Sequence, residues 1–308
     1  MFCPAKVNLL LAVTGRRADG FHELISLVAP VSLGDDLIVS VAARPGTLEL
    51  VCEDDQIPLD ESNLVMCAAR EFLRISGYKE GLRFELVKRI PVEAGLGGGS
   101  SDAAGTLLLL NALFDHPFSM ATLDEIAAQL GSDCPFFLRG EPRIMRGRGE
   151  TLEAVSSARK RELTGRWVAL FKPMFGINTA WAYNQLAGTR PTAYVDPGEA
   201  EDRLTAWKTG RSGLEALLFN NLETPVFKKY VALPALLQQI REELHLPCAM
   251  SGSGSTCFAL LPDFNKGADL ADLVKRSWGE NSFLRFCQLG MGERSDLSLG
   301  KEAPKGAN

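Results

Sequence analysis

Four glycines in five positions, Gly95, Gly97, Gly98 and Gly99 around Leu96, run into Ser100 and Ser101 and then into an apolar segment over residues 102–114. Glycine lets a backbone take positive φ and approach a ligand closely, and a helix start offers unpaired N–H groups with about half a positive charge. Phosphate suits such a cradle. A flexible turn in which Ser100 or Ser101 only caps the helix is the competing reading. A Walker A loop is excluded, because it needs Gly-Lys-Ser/Thr and Gly99 is followed by Ser100. A dinucleotide fingerprint fits weakly: serine stands at its last glycine, and the acid required about 20 residues later is met only by Asp124, in a helical and polar context.

The elements that must hold this loop follow from hydrophobic period and punctuation. Strands are expected at 7–13 and 36–41 around a charged, turn-prone loop at 15–20. A helix is expected over 64–75, with Ser62 and Asn63 at its start and Gly77 at its end. A strand over 82–90 runs into Pro91, so the glycines lie between strand and helix. Next come a helix over 123–130, ended by Gly131, and a short strand at 136–138 after Ser132-Asp133-Cys134-Pro135. The polar, basic stretch 143–166 is expected to hold a domain crossing. Beyond it, strands at 167–171 and 256–261 alternate with helices at 179–186, 234–243 and 269–278, which predicts a smaller α+β unit. The domains are therefore placed at 1–155 and 156–291, with a mobile tail over 292–308.

The 308 residues suit two domains, and 46% hydrophobic with 23% charged residues excludes disorder or a collagen-like chain. Thirty-three basic against 38 acidic residues leave a net charge of −5 without a dense Lys/Arg run, which disfavours a nucleic-acid or anionic-membrane partner. Seven cysteines, odd in number and without a C-x-x-C pair, indicate neither a disulfide framework nor a zinc ribbon; a reducing cytoplasm fits them. The apolar run at 107–114 is shorter than the ~20 residues that span a bilayer, and no signal peptide is read at the start.

Pro91-x-x-x-Gly-Leu-Gly-Gly-Gly-Ser-Ser-Asp-Ala-Ala resembles the ATP loop of the GHMP kinase superfamily. The opening Pro4-Ala5-Lys6-Val7-Asn8-Leu9, the segment Arg17-Ala18-Asp19-Gly20-Phe21-His22-Glu23-Leu24 and the run Leu130-Gly131-Ser132-Asp133-Cys134-Pro135-Phe136-Phe137 resemble its branch acting on a cytidine diphosphate sugar alcohol. Met250-Ser251-Gly252-Ser253-Gly254-Ser255 is similar to the superfamily's C-terminal glycine loop. The resemblance implies a two-domain α+β GHMP kinase fold, with a ribosomal-protein-S5-like N-terminal domain, a ferredoxin-like C-terminal domain and the substrate in the cleft between them. It further implies transfer of the γ-phosphoryl of ATP, with Mg2+, to the 2-hydroxyl of cytidine diphosphate methylerythritol in non-mevalonate isoprenoid synthesis. Homoserine- or mevalonate-type kinases are the nearest competitors, and a non-catalytic nucleotide sensor is the competitor of another class. A monomer or a homodimer fits equally.

Residue by residue, the resemblance makes Asp133 the base for the acceptor hydroxyl, with Lys6 beside it holding it ionised. Taken alone, such an Asp is a turn or cap residue and such a Lys a solvated charge. Asn8 is carried over to the erythritol side, His22 to the cytosine edge, and Phe21 to a stacking position where tyrosine is usual. Tyr183 is the candidate opposite wall, or simply a core aromatic; Gly252 and Gly254 complete the substrate set. Pro91, Val92, Glu93, Ala94, Gly95, Leu96, Gly97, Gly98, Gly99, Ser100 and Ser101 form the cradle, with Asn63 and Lys88 near the adenine. Glu93 and Ala94 stand where small residues are usual, so the Glu93 side chain is expected to face solvent. No carboxylate has spacing that assigns a magnesium ligand.

Overall fold

The computed structural model describes residues 1–189 and 193–290, and the tail expected from residue 292 lies outside them. Two long strands dominate the first half: β1 (Phe2–Arg16) and β2 (His22–Ala42) pair antiparallel along their length. Then follow β3 (Leu48–Cys52), α1 (Leu64–Ser76), β4 (Gly81–Val87), α2 (Gly98–Leu113), α3 (Met120–Leu130) and α4 (Cys134–Arg139). The hairpin β5 (Arg143–Gly147) and β6 (Thr151–Ala154) returns to the first sheet, with β5 pairing onto β2. That sheet has the order β3-β4-β2-β1, and α1, α2, α3 and α4 contact one another beside it.

After α5 (Ser157–Leu163) the chain enters a second sheet at β7 (Trp167–Lys172). It continues through α6 (Thr179–Gly188), α7 (Pro197–Lys208), α8 (Leu214–Leu217), a two-residue strand β8 (Phe219–Asn220), α9 (Glu223–Lys229) and α10 (Ala232–Glu243). The remainder is β9 (Cys248–Met250), β10 (Cys257–Leu260), α11 (Gly267–Trp278) and β11 (Phe283–Gln288). The spatial order β11-β7-β10-β9 is the ferredoxin-like arrangement expected of the second domain. The two halves of the chain are stitched together: β8, from the second half, extends the first sheet parallel to β1, and Val31 of β2 bridges Leu289.

Local chemistry explains most boundaries. α1 starts where the Asn63 side chain accepts from the Val65 N–H and stops at Gly77, whose φ of 78° suits glycine. Its buried face, Val65, Met66, Ala68, Ala69 and Phe72, has the helical spacing of an amphipathic element. α2 begins four residues before the expected residue 102, because the glycines themselves form its first turn. It is buried nearly all round, and small residues let it lie close on β1: a Cβ at Gly105 would stand 2.4 Å from Cys3 Sγ.

One expectation is corrected. Residues 136–138 are helical, not a strand: three apolar residues carry no decisive period, and Pro135 in the first turn of α4 is a helix-start residue. The stretch 143–166 contains the β5–β6 hairpin and α5 and leads into β7 of the second sheet, and its Arg143 and Arg146 are used in ion pairs with Glu141, Glu153 and Glu201.

Candidate active site

β1 brings Lys6 and Asn8 to one face, being two residues apart on a strand. Lys6 is 7% exposed, and its Nζ stands 3.6 Å from Oδ2 of Asp133, which is 36% exposed. Asp133 occupies the N-cap position of α4, yet its side chain makes no capping hydrogen bond and stays directed at the cleft with Lys6. The Lys6 ammonium also donates to Asn8 Oδ1 at 2.6 Å. Asn8 Nδ2 donates to Ser26 Oγ at 2.9 Å, and that hydroxyl donates to the Leu10 carbonyl. Because the Ser26 proton is committed to Leu10, Ser26 can only accept from Asn8, which fixes the amide and leaves its oxygen toward Lys6.

The glycine loop is clamped from both domains. The Lys6 N–H donates to the Leu96 carbonyl and the Thr256 N–H to the Ala94 carbonyl. Ser251 Oγ donates to the Gly95 carbonyl at 3.1 Å and accepts from the Asn8 N–H. Gly95 has φ of 73°, and a Cβ there would meet the Ser251 carbonyl at 2.2 Å; Gly97 has φ of 72° and sits against Phe137. These glycines meet both demands at once, positive φ and close backbone approach. Gly99 has only Leu64 near where a Cβ would stand, and residues 98–100, whose N–H groups at the start of α2 lack intrahelical partners, line the cleft. Such a surface fits a polyphosphate. Ser101 lies beneath it, 1% exposed, and does not line the cleft. Glu93 is exposed, with its carboxylate over Gly176.

At the other end His22 is 8% exposed, and its Nε2 has no hydrogen-bond partner among the described residues. Burial, with the Arg16 charge behind it, lowers its pKa, so the ring is neutral at pH 7. The Tyr183 ring lies 5.1 Å away, and burial, followed by the Asp133 charge, raises the phenol's pKa. Phe21 is 48% exposed at the rim, with the Arg148 guanidinium 4.9 Å over its ring. Thr179 and Ser253 share a hydroxyl hydrogen bond of 2.8 Å where α6 meets the C-terminal glycine turn.

One cleft of about 870 Å3 collects Lys6, Asn8, Phe21, His22, Asn63, Lys88, Asp133, Tyr183, Gly252 and the loop from Pro91 to Ser100. Two predicted residues, Ser101 and Gly254, do not line it, and two that do, Asn63 and Lys88, have their polar groups engaged elsewhere. Gly254 packs behind the turn on Met250 and Ile177. Asn63 spends both ends of its amide on Val65 N–H and the Pro58 carbonyl. Lys88 is buried between Asp35 and Asp102. Sequence reasoning missed Ser26, Arg148, Thr179, Ser251 and Ser253. A signal existed for Ser251 and Ser253, which alternate with the glycines of the C-terminal motif; none exists for Ser26, an ordinary strand residue.

A glycine loop at a helix start, a lysine–aspartate pair beside it and two stitched α+β domains are the frame of a GHMP-type small-molecule kinase. Residues 63–141 match the GHMP kinases N terminal domain and residues 208–281 the GHMP kinases C terminal domain. The chain belongs to the 4-diphosphocytidyl-2-C-methyl-D-erythritol kinase family. The relative so named from Methylacidiphilum infernorum is 40% identical, covering 84% of this chain and 85% of its own; that from Pelotomaculum thermopropionicum is 36% identical, covering 89% and 92%. A solved 4-(cytidine 5'-diphospho)-2C-methyl-D-erythritol kinase superposes with a TM-score of 0.74 at 37% identity, over 95% of this chain and 99% of that one. A homoserine kinase from Cytophaga hutchinsonii, at 16% identity and a TM-score of 0.70 over 94% of each chain, shares the fold alone.

Proposed function

We propose that this enzyme transfers the γ-phosphoryl group of ATP to the 2-hydroxyl of 4-diphosphocytidyl-2-C-methyl-D-erythritol, an isoprenoid precursor. The observation that carries the reading is the 3.6 Å Lys6–Asp133 pair, set between the glycine loop and the His22 pocket in one cleft. Phosphoryl transfer asks little covalent chemistry of the protein, so positioning and charge neutralisation suffice. Asp133 accepts the hydroxyl proton. Lys6 neutralises charge gathering at the acceptor oxygen, and Asn8, locked by Ser26, holds Lys6 in place. N–H groups at the start of α2 face the phosphates, and the neutral His22 offers Nε2 to the polar edge of the base, between Tyr183 and the rim aromatic Phe21.

Mg2+ would arrive with the phosphates and neutralise them, for no group of three or more metal-ligating side chains occurs among the described residues. Domains bounded near residues 155 and 291, a cytoplasmic location and a monomeric or homodimeric state complete the reading. No described helix is long and apolar enough to cross a membrane, and the unpaired odd cysteine count suits a reducing compartment. Incubation with Mg·ATP and the cytidyl methylerythritol, followed by phosphorus NMR of the product, tests it: one new phosphomonoester on the 2-oxygen is expected. ATP hydrolysis to free phosphate with the acceptor unchanged would refute it.

A further inference from the structure

We propose that Lys88 is a positioning residue for nucleotide binding, which fixes the first turn of α2, and with it the glycine cradle, by neutralising Asp35 and Asp102 together. The proposal rests on the ATP reading above. Lys88 follows β4, Asp35 lies within β2 and Asp102 closes the first turn of α2, so the three residues join three elements at one buried point. Their side chains are 6%, 0% and 4% exposed. The Lys88 ammonium donates to Asp35 Oδ2 at 2.5 Å and to Asp102 Oδ2 at 2.8 Å. Asp35 is further supported through Oδ1, which accepts from the Arg89 and Ile90 N–H groups. Asp102 has no such support, and its Oδ1 lacks any partner among the described residues.

Two buried carboxylates share one cation, so deleting that cation forces either a proton onto Asp102 or a shift of the helix start. The helix start is where the cradle is: a Cβ at Gly98 would come within 3.3 Å of Lys88 Nζ. Burial, offset by Lys88 and reinforced by Asp35, pushes the Asp102 carboxyl up to about 7, whereas the carboxylates outweigh burial and raise Lys88. The remaining groups facing the cluster are the Cys3 thiol and the Met1 ammonium on the β1 side, and the Arg89 guanidinium, itself held on Asp36. Cys3 is raised by burial and stays protonated, so Asp102 is the member free to take a proton near neutrality.

Equilibrium binding of Mg·ATP, without acceptor, to wild type, Lys88→Met, Asp102→Asn and the double variant at pH 6 to 8.5 tests the proposal, with thermal melts alongside. The expected result at pH 8 is a loss of tenfold or more in Lys88→Met, shrinking as the pH falls to 6 and recovered largely by adding Asp102→Asn. A loss that is flat with pH and unrelieved by Asp102→Asn would overturn it in favour of direct contact with the nucleotide, and wild-type affinity in Lys88→Met would overturn it outright. If Lys88→Met fails to fold, wild type against Asp102→Asn decides: wild-type affinity should tighten as pH rises through 7, where the Asp102 carboxylate forms and pairs with Lys88, while the variant stays flat, and equal profiles would overturn the idea. A wild type that binds no Mg·ATP would instead overturn the kinase reading itself.

Discussion

Asp133 stands at the head of α4 without capping it, and Lys6 lies buried with that carboxylate and Asn8 as its partners. A lysine buried with few partners is costly to keep, and under the proposed function the acceptor oxygen is its further partner. General-base help is worth about 10²–10⁴-fold, so Asp133→Asn should lower kcat by that factor while leaving Mg·ATP affinity within a few fold. Steady-state kinetics check this, and an unchanged kcat would remove Asp133 from the mechanism. His22 makes a separate prediction. Its pKa lies below the ordinary 6.5, so the neutral ring is favoured in the folded chain. Its contribution to stability is therefore complete above pH 6.5 and is lost as the pH falls below it. The KM for the cytidyl substrate should likewise rise below pH 6.5 while the KM for ATP does not follow, and His22→Ala should raise the former at every pH. A pH profile identical for both substrates would count against the base-recognition role.

At the scale of elements, the cradle is a joint construction of β1, the start of α2 and the turn after β9. Gly95 shows the coupling, because its α-carbon faces the Ser251 carbonyl so closely that no side chain fits. Gly95→Ala should therefore weaken Mg·ATP binding tenfold or more and lower the melting temperature, whereas an alanine at the exposed Gly20, which has open space but positive φ and lies at the Phe21 end of the cleft, should lower the melting temperature and leave Mg·ATP binding unchanged. Calorimetric titration and melting curves separate the two. Much of this was legible in sequence, for glycine clusters and helix caps such as Asn63 and Gly77 are local signals. α4 was not legible: three apolar residues fit either period, and only Pro135 hinted at a helix. Strand β8 was not legible either, being two residues whose pairing with β1 lies about 200 positions away. The Asp35–Lys88–Asp102 cluster is hidden for the same reason, since its members are scattered and become neighbours only when three elements pack.

At the scale of the whole molecule, two domains joined through β8 create one continuous cleft with the glycine loop at one end and an aromatic pocket at the other. GHMP-type kinases for homoserine and mevalonate share this fold at 13–16% identity, so the fold alone does not select the acceptor. Under the proposed function the selection is assigned to His22, Tyr183 and Phe21, for which homoserine and mevalonate carry no base to offer. The most direct measurement is ADP release under Mg·ATP with the cytidyl methylerythritol, homoserine and mevalonate compared at equal concentration. Turnover with the cytidyl compound at a kcat/KM at least 10³-fold above the other two is the predicted result. Equal turnover with a small acceptor, or none with the cytidyl one, would contradict it.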